Sequence, residues 1–248
     1  MELVSGDFIV VNAGDDVSLP ERTEALVEIW LSSREKVKLV HSATLRIDEH
    51  GNSLRYRAPR TEMQQDITPD QIIIKCLCVI GATAGWTRDV FLNFGPLGES
   101  LLNEDHIIPF RAAILGSIEY TPDALVKHRE GGVSACAGRG PGHEYLYGFS
   151  HKSRLWDYLV DLHILKSSLN YTYPKKNEVE KVCRVRTQTM RFMIDLAETP
   201  KLKRWGLLPR AVRLSRKHQQ LSPLKNWARY TFDVLYMKYV DWRAARKI

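Results

Sequence analysis

The hydrophobic period changes once along this chain of 248 residues, and that change limits the fold more than any single motif. Before residue 130 the apolar side chains mostly alternate with polar ones, as in a strand. After residue 150 they recur every three or four residues, as in a helix. Between the two regimes lie Gly131, Gly132, Gly138, Gly140, Gly142 and Gly148, with Pro141 in their midst. Breakers at that density read as a loop or linker. The expected fold is therefore α+β, with a strand-rich N-terminal part on an antiparallel or mixed sheet and a helical C-terminal part. The expected domains are 1–130, a linker at 131–150, and 151–248. With 44% hydrophobic residues the chain has enough apolar surface for such cores.

Residues 8–11 form a short apolar run ended by a turn cluster. Residues 24–31 alternate at Ala25, Val27, Ile29 and Leu31 and read as a strand, although Leu26, Ile29 and Trp30 also suit a helix. Residues 37–41 read as a strand. The clearest hairpin follows: Leu45 and Ile47 alternate with Arg46 and Asp48, residues 49–52 make the turn, and Leu54 and Tyr56 alternate with Arg55 and Arg57. The β-branched run 72–80 reads as a central strand buried on both faces. Residues 90–94 read as a further strand, and 107–118 as a strand or an element bent at Pro109. Helical spacing then begins near Ser153 with Leu155, Trp156, Leu159 and Leu162. Asn177 and Glu180 fit a capping box for a helix reaching 199. Pro209 opens a short helix, and Ser222-Pro223 opens a long one running through Trp242.

Charge divides the chain at the same place. Residues 151–248 hold 22 Lys and Arg against 8 Asp and Glu, a net of +14; the first 150 residues hold the other 14 basic and 21 acidic side chains, a net of −7. Between 199 and 232 there is no carboxylate, yet there are nine cations: Lys201, Lys203, Arg204, Arg210, Arg213, Arg216, Lys217, Lys225 and Arg229. Such a stretch either presents a positive field to a polyanion or is neutralised by the acidic half, within one chain or between copies. Arg210, Arg213 and Lys217 share one helix face, and a helix-turn-helix over 201–217 with Gly206 in the turn is a loose alternative. Aromatic residues interleave with these cations. Trp205, between Arg204 and Gly206, is the candidate stacking or interface ring, whereas Trp227, Phe232 and Trp242 read as core.

Signals for other chemistry are weak. The segment 138–143 is rich in glycine but matches neither phosphate-loop pattern. Cys76 and Cys78 would share one face of a strand, without the further ligands that zinc needs, and read as small buried side chains. Asp157 and Asp161 share a helix face but lie in no metal motif. Cys136 and His143 form no recognisable nucleophile pair, and His106 and His163 read as structural. No catalytic residue, cofactor or metal is implied.

The N-terminus lacks the pattern of a secretory leader, and no run reaches the roughly 18 apolar residues of a membrane span. With four scattered cysteines, this favours a cytoplasmic or nuclear protein. The Asn170-Tyr171-Thr172 acceptor then carries little meaning. The expected function is a non-enzymatic binding or assembly protein whose basic helices hold nucleic acid, RNA included, by phosphate neutralisation. Arginine outnumbers lysine in the carboxylate-free stretch and suits phosphate geometry. One alternative is a matrix-type structural protein on an acidic membrane surface, self-associating through its acidic and basic parts. Another is an enzyme without a recognisable motif.

Overall fold

The computed structural model describes residues 4–34, 36–64, 67–98, 101, 104–130 and 150–245. The fold is α+β, a mixed sheet in the N-terminal part followed by helices. The described residues fall into two packing units, 4–130 with 163–180, and 150–162 with 181–245. The segment 163–180 thus groups with the strand-rich part. The glycine-rich stretch expected as a linker, together with Cys136 and His143, lies outside the described residues.

The first unit is organised by β3 (Val37–Ile47) and β6 (Ser117–Arg129), which run parallel side by side. The strands β1 (Phe8–Val10), β5 (Gly85–Thr87) and β2 (Val17–Ser18) complete the order β1-β5-β3-β6-β2, and β4 (Ser53–Arg57) pairs antiparallel with β3. The hairpin expected at 45–57 is thus present. Asp48 holds its turn by accepting the backbone N–H groups of His50 and Asn52 at 2.9 and 2.8 Å.

The doubly buried strand is β3 and not the run 72–80. Its Val37 and Val40 pack with Leu26 of α1 (Arg22–Ser32) and Leu125. Helix α4 (Glu104–Leu115) also packs against β3, and Leu39 lines a cavity with Ile108 and Pro109 of that helix. Residues 72–80 instead begin in α2 (Pro69–Ile74), which starts from a capping box. There the backbone N–H of Thr68 donates to Gln71 Oε1 at 3.2 Å, and Pro69 occupies the first turn. After α2, Cys76 takes a left-handed conformation at φ 51°. Both Cys76 and Cys78 are exposed rather than buried on a strand.

Two further expected strands are helices. Residues 24–31 belong to α1, whose Leu26, Ile29 and Trp30 form the stripe facing the sheet. Residues 90–94 overlap α3 (Asp89–Leu92), a single turn. The run 107–118 is mostly α4, with Pro109 inside it; the proline cannot donate to Asp105 O, and that carbonyl accepts the Val79 N–H at 3.3 Å instead.

The helical part comprises α5 (Ser150–Ser168), α6 (Lys176–Glu198), a 3-10 segment (Lys201–Leu207), α7 (Leu208–His218), α8 (Ser222–Thr231) and α9 (Asp233–Ala245). Asn177 lies inside the first turn of α6 rather than ahead of it. The long helix expected from Ser222 breaks at Phe232 into α8 and α9. Among the described residues no helix is long and apolar enough to cross a membrane.

Candidate nucleic-acid interface

The second unit is built on Phe192 and Leu196 of α6, Ala211 of α7, and Trp227 and Tyr230 of α8. With those residues turned inward, most of the charged residues of α7 and α8 face out. The nine sequence-designated cations then separate into three groups.

Arg204 is interior, with 4% of its surface exposed. Its Nε donates to Thr199 O at 2.8 Å, and its guanidinium donates to Tyr230 O at 2.5 Å. It also lies 3.5 Å from the buried Asp233 carboxylate. Its own carbonyl accepts the Trp227 indole N–H at 2.9 Å. Arg204 is thus a strut joining the 3-10 segment to α8 and α9, and it cannot reach an external ligand.

Lys201 and Arg210 are paired at the surface. Lys201 Nζ is 2.8 Å from Asp233, and Arg210 is 2.5 Å from Asp195, which Arg191 also contacts at 3.1 Å. The stretch without carboxylates is therefore bracketed by two that reach into it, one on α6 and one opening α9.

Lys203, Arg213, Arg216, Lys217, Lys225 and Arg229 are exposed, and none makes an ion pair among the described residues. On α7 the positions of Arg210, Arg213, Arg216 and Lys217 fall within an arc of roughly 120° opposite the buried Ala211 and Ser215. Lys217 Nζ and the His218 ring both donate to Gln188 Oε1, at 3.0 and 3.1 Å. Burial, and then the charge of Lys217, holds the His218 imidazolium pKa below its ordinary value.

On α8, Lys225 and Arg229 lie one turn apart. They line an open depression of about 360 Å³ with Gln220, Leu221, Ser222 and Asn226. Asn226 is buried and forms part of its floor, donating to Ser222 Oγ at 3.3 Å and accepting from Arg229 at 3.4 Å. The first turn of α8 is largely satisfied within the protein: Pro223 has no N–H, the Leu224 N–H donates to Ser215 Oγ at 3.3 Å, and the Lys225 N–H donates to Leu221 O at 2.9 Å. Two cations, the Ser222 hydroxyl and the Gln220 amide converge there, a donor set suited to phosphate oxygens.

Trp205 is 54% exposed and meets Trp227 edge to face at 5.3 Å and Phe232 at 5.7 Å. Of the three rings expected in the core, only Trp227 is buried; Phe232 and Trp242 are 46% and 51% exposed. The break between α8 and α9 turns Phe232 outward, which an uninterrupted helical period does not foresee. The 3-10 segment leads directly into α7, so 201–217 forms one winding run with Gly206 inside it and not two helices across a turn.

The other candidates resolve into structure. Asp161 is buried and gripped by Arg186 at 2.5 and 3.0 Å, and burial is the main force raising its pKa. Cys183 is buried, which pushes its thiol up to about 12. His106 donates to Leu77 O at 3.1 Å. His163 has its pKa lowered by burial first and then by Arg111 and Lys166. The first unit contains an apolar cavity of about 320 Å³ walled by Leu39, Trp86, Phe91 and Ile108, with Glu104 and Asp105 among its lining. Burial raises both carboxyl pKa values. Among the described residues no histidine, cysteine or serine lines it. Among the described residues no group of three or more His, Cys, Asp or Glu is placed to hold a metal.

No protein-family model matches the chain, and no curated protein matches it.

Proposed function

We propose that this protein binds nucleic acid without sequence preference, through the outer faces of α7 and α8, as a non-enzymatic binding or assembly protein. The observation that carries this reading is the group of six exposed cations, five on α7 and α8 and Lys203 on the 3-10 segment, that make no ion pair among the described residues, two of them in a depression that also offers a hydroxyl and an amide. Phosphates satisfy all of these donors at once, and contacts to phosphate position a nucleic acid without reading its bases. Arg204 drops out of the contact set because it is interior, and Lys201 and Arg210 contribute only a partly compensated charge. Such a protein works in the cytoplasm or nucleus, where polynucleotides are present. The acidic first part provides a surface for association with other copies.

The test is retention of a fluorescent polynucleotide at low salt by the full chain and by an Arg213→Gln/Arg216→Gln/Lys217→Gln variant. The proposal expects wild-type binding that weakens at least tenfold in the variant while the helical circular dichroism stays unchanged. Absence of binding at low salt overturns it. Flotation with anionic but not neutral vesicles, without polynucleotide retention, transfers the same cations to a lipid surface.

A further inference from the structure

The depression on α8 does not end at its cations. The Arg229 guanidinium that lines it sits 5.3 Å from the centroid of the Tyr236 ring. Tyr236 lies 6.5 Å from Tyr239, and Tyr239 lies 6.2 Å from Trp242, with interplanar angles of 34° and 29°. These three rings occur at i, i+3 and i+6 on α9, so they ascend one side of the helix in order. Tyr239 and Trp242 are 50% and 51% exposed. A cation and three rings, the first half-buried against the helical core and the other two exposed, thus form a row that begins in the depression and leads away from it.

We propose that this row is a stacking platform, and that the nucleic acid bound by the helical unit is single-stranded. This rests on the polyanion reading above and specifies its ligand. In a duplex the base faces are stacked on one another, and ring faces outside the helix cannot reach them. In a single strand the bases are free to lie on aromatic and guanidinium planes while the linking phosphates meet cations. Arg229 joins the two functions, because one guanidinium can bind phosphate at its edge and stack with its face. The platform is tolerant of sequence, since every base offers a π-face.

The test measures the affinity of the full chain for a labelled oligothymidylate of about 15 nucleotides, a length that spans a site of ordinary size, and for a duplex of equal length. Wild type is expected to bind the single strand at least tenfold more tightly than the duplex. Tyr239→Ala with Trp242→Ala is expected to weaken single-strand binding by about tenfold or more and to leave the duplex affinity unchanged. Tyr239→Phe with Trp242→Phe, which keeps ring faces, is expected to retain the single-strand affinity. Lys225→Gln with Arg229→Gln is expected to weaken both ligands.

Equal affinity for the two ligands overturns the platform and leaves polyanion binding standing, as does single-strand affinity unaltered in the double alanine variant. Binding of neither ligand overturns the polyanion reading itself. Should the alanine variant lose anionic vesicles while keeping the oligonucleotide, the rings serve lipid and the proposal fails.

Discussion

Replacing Arg204 by Met should strongly destabilise the helical unit without touching any exposed cation. Arg204 spans the 3-10 segment, the end of α8 and the start of α9 through Thr199 O, Tyr230 O and Asp233. Removing it takes one cation from the buried Asp233 carboxylate, which Lys201 also contacts, and takes donors from two carbonyls. Breaking a buried pair by deleting one member costs about 3–5 kcal/mol, because a charge stays behind in low dielectric. Each stranded acceptor adds a cost on the order of 1 kcal/mol. A unit of this size holds only about 5–15 kcal/mol, so the substitution removes a third or more of its stability. A loss of 3 kcal/mol corresponds to a fall in Tm of roughly 12–24 °C for a domain near 100 residues. Helical circular dichroism followed against temperature measures it. Arg213→Gln, on the exposed face of α7, serves as the comparison and should shift stability by no more than about 0.5 kcal/mol. A Tm for Arg204→Met within a degree or two of wild type would refute the assignment of Arg204 as a strut.

Two further perturbations probe the first unit. His41 is fully buried, its Nε2–H donates to Met63 O at 2.9 Å, and burial lowers its pKa from 6.5 to about 4. The unfolded chain therefore binds the extra proton first, so the stabilisation is complete above pH 6.5 and is lost as pH falls from 6.5 through about 4. Urea titrations across that window should show wild type losing up to about 3 kcal/mol more than His41→Gln; identical acid limbs would exclude this residue as the cause. Gly116, between α4 and β6, has no room for a side chain, since an added Cβ would stand 2.3 Å from Lys36 O and 2.8 Å from Lys38 Cγ. Gly116→Ala should cost about 1–3 kcal/mol through forced backbone movement, read as a lower urea midpoint with unchanged slope; an unshifted midpoint would show that the chain yields there freely.

The mixture of strands and helices was legible because the two regimes differ in period. The hairpin at β3 and β4 was legible because alternation and turn residues agree. The short helices α1, α2 and α3 were not. Ile72, Ile73 and Ile74 suggest a strand by their β-branching, and only Thr68 and Gln71, outside the apolar run, announce the helix. Ala25, Val27, Ile29 and Leu31 alternate by coincidence with a helical stripe through Leu26, Ile29 and Trp30. At the candidate interface the count of cations was readable but their separation was not. Asp195 reaches Arg210 across 15 positions, and Asp233 lies one residue beyond the stretch. Nothing in the local sequence distinguishes Arg204, held inside, from Arg213, left outside. The outward position of Trp242 was hidden for a related reason. An aromatic at helical spacing reads as core unless the break at Phe232 is known.

The salt dependence of oligonucleotide binding tests the central claim most directly. Six exposed cations make no ion pair among the described residues, and each phosphate neutralised on a single strand contributes about −0.7 to the slope of log affinity against log salt. The account predicts a slope near −4 for wild type, rising by about 1.4 toward zero when Lys225 and Arg229 become Gln. A slope that those two substitutions leave unchanged would contradict it.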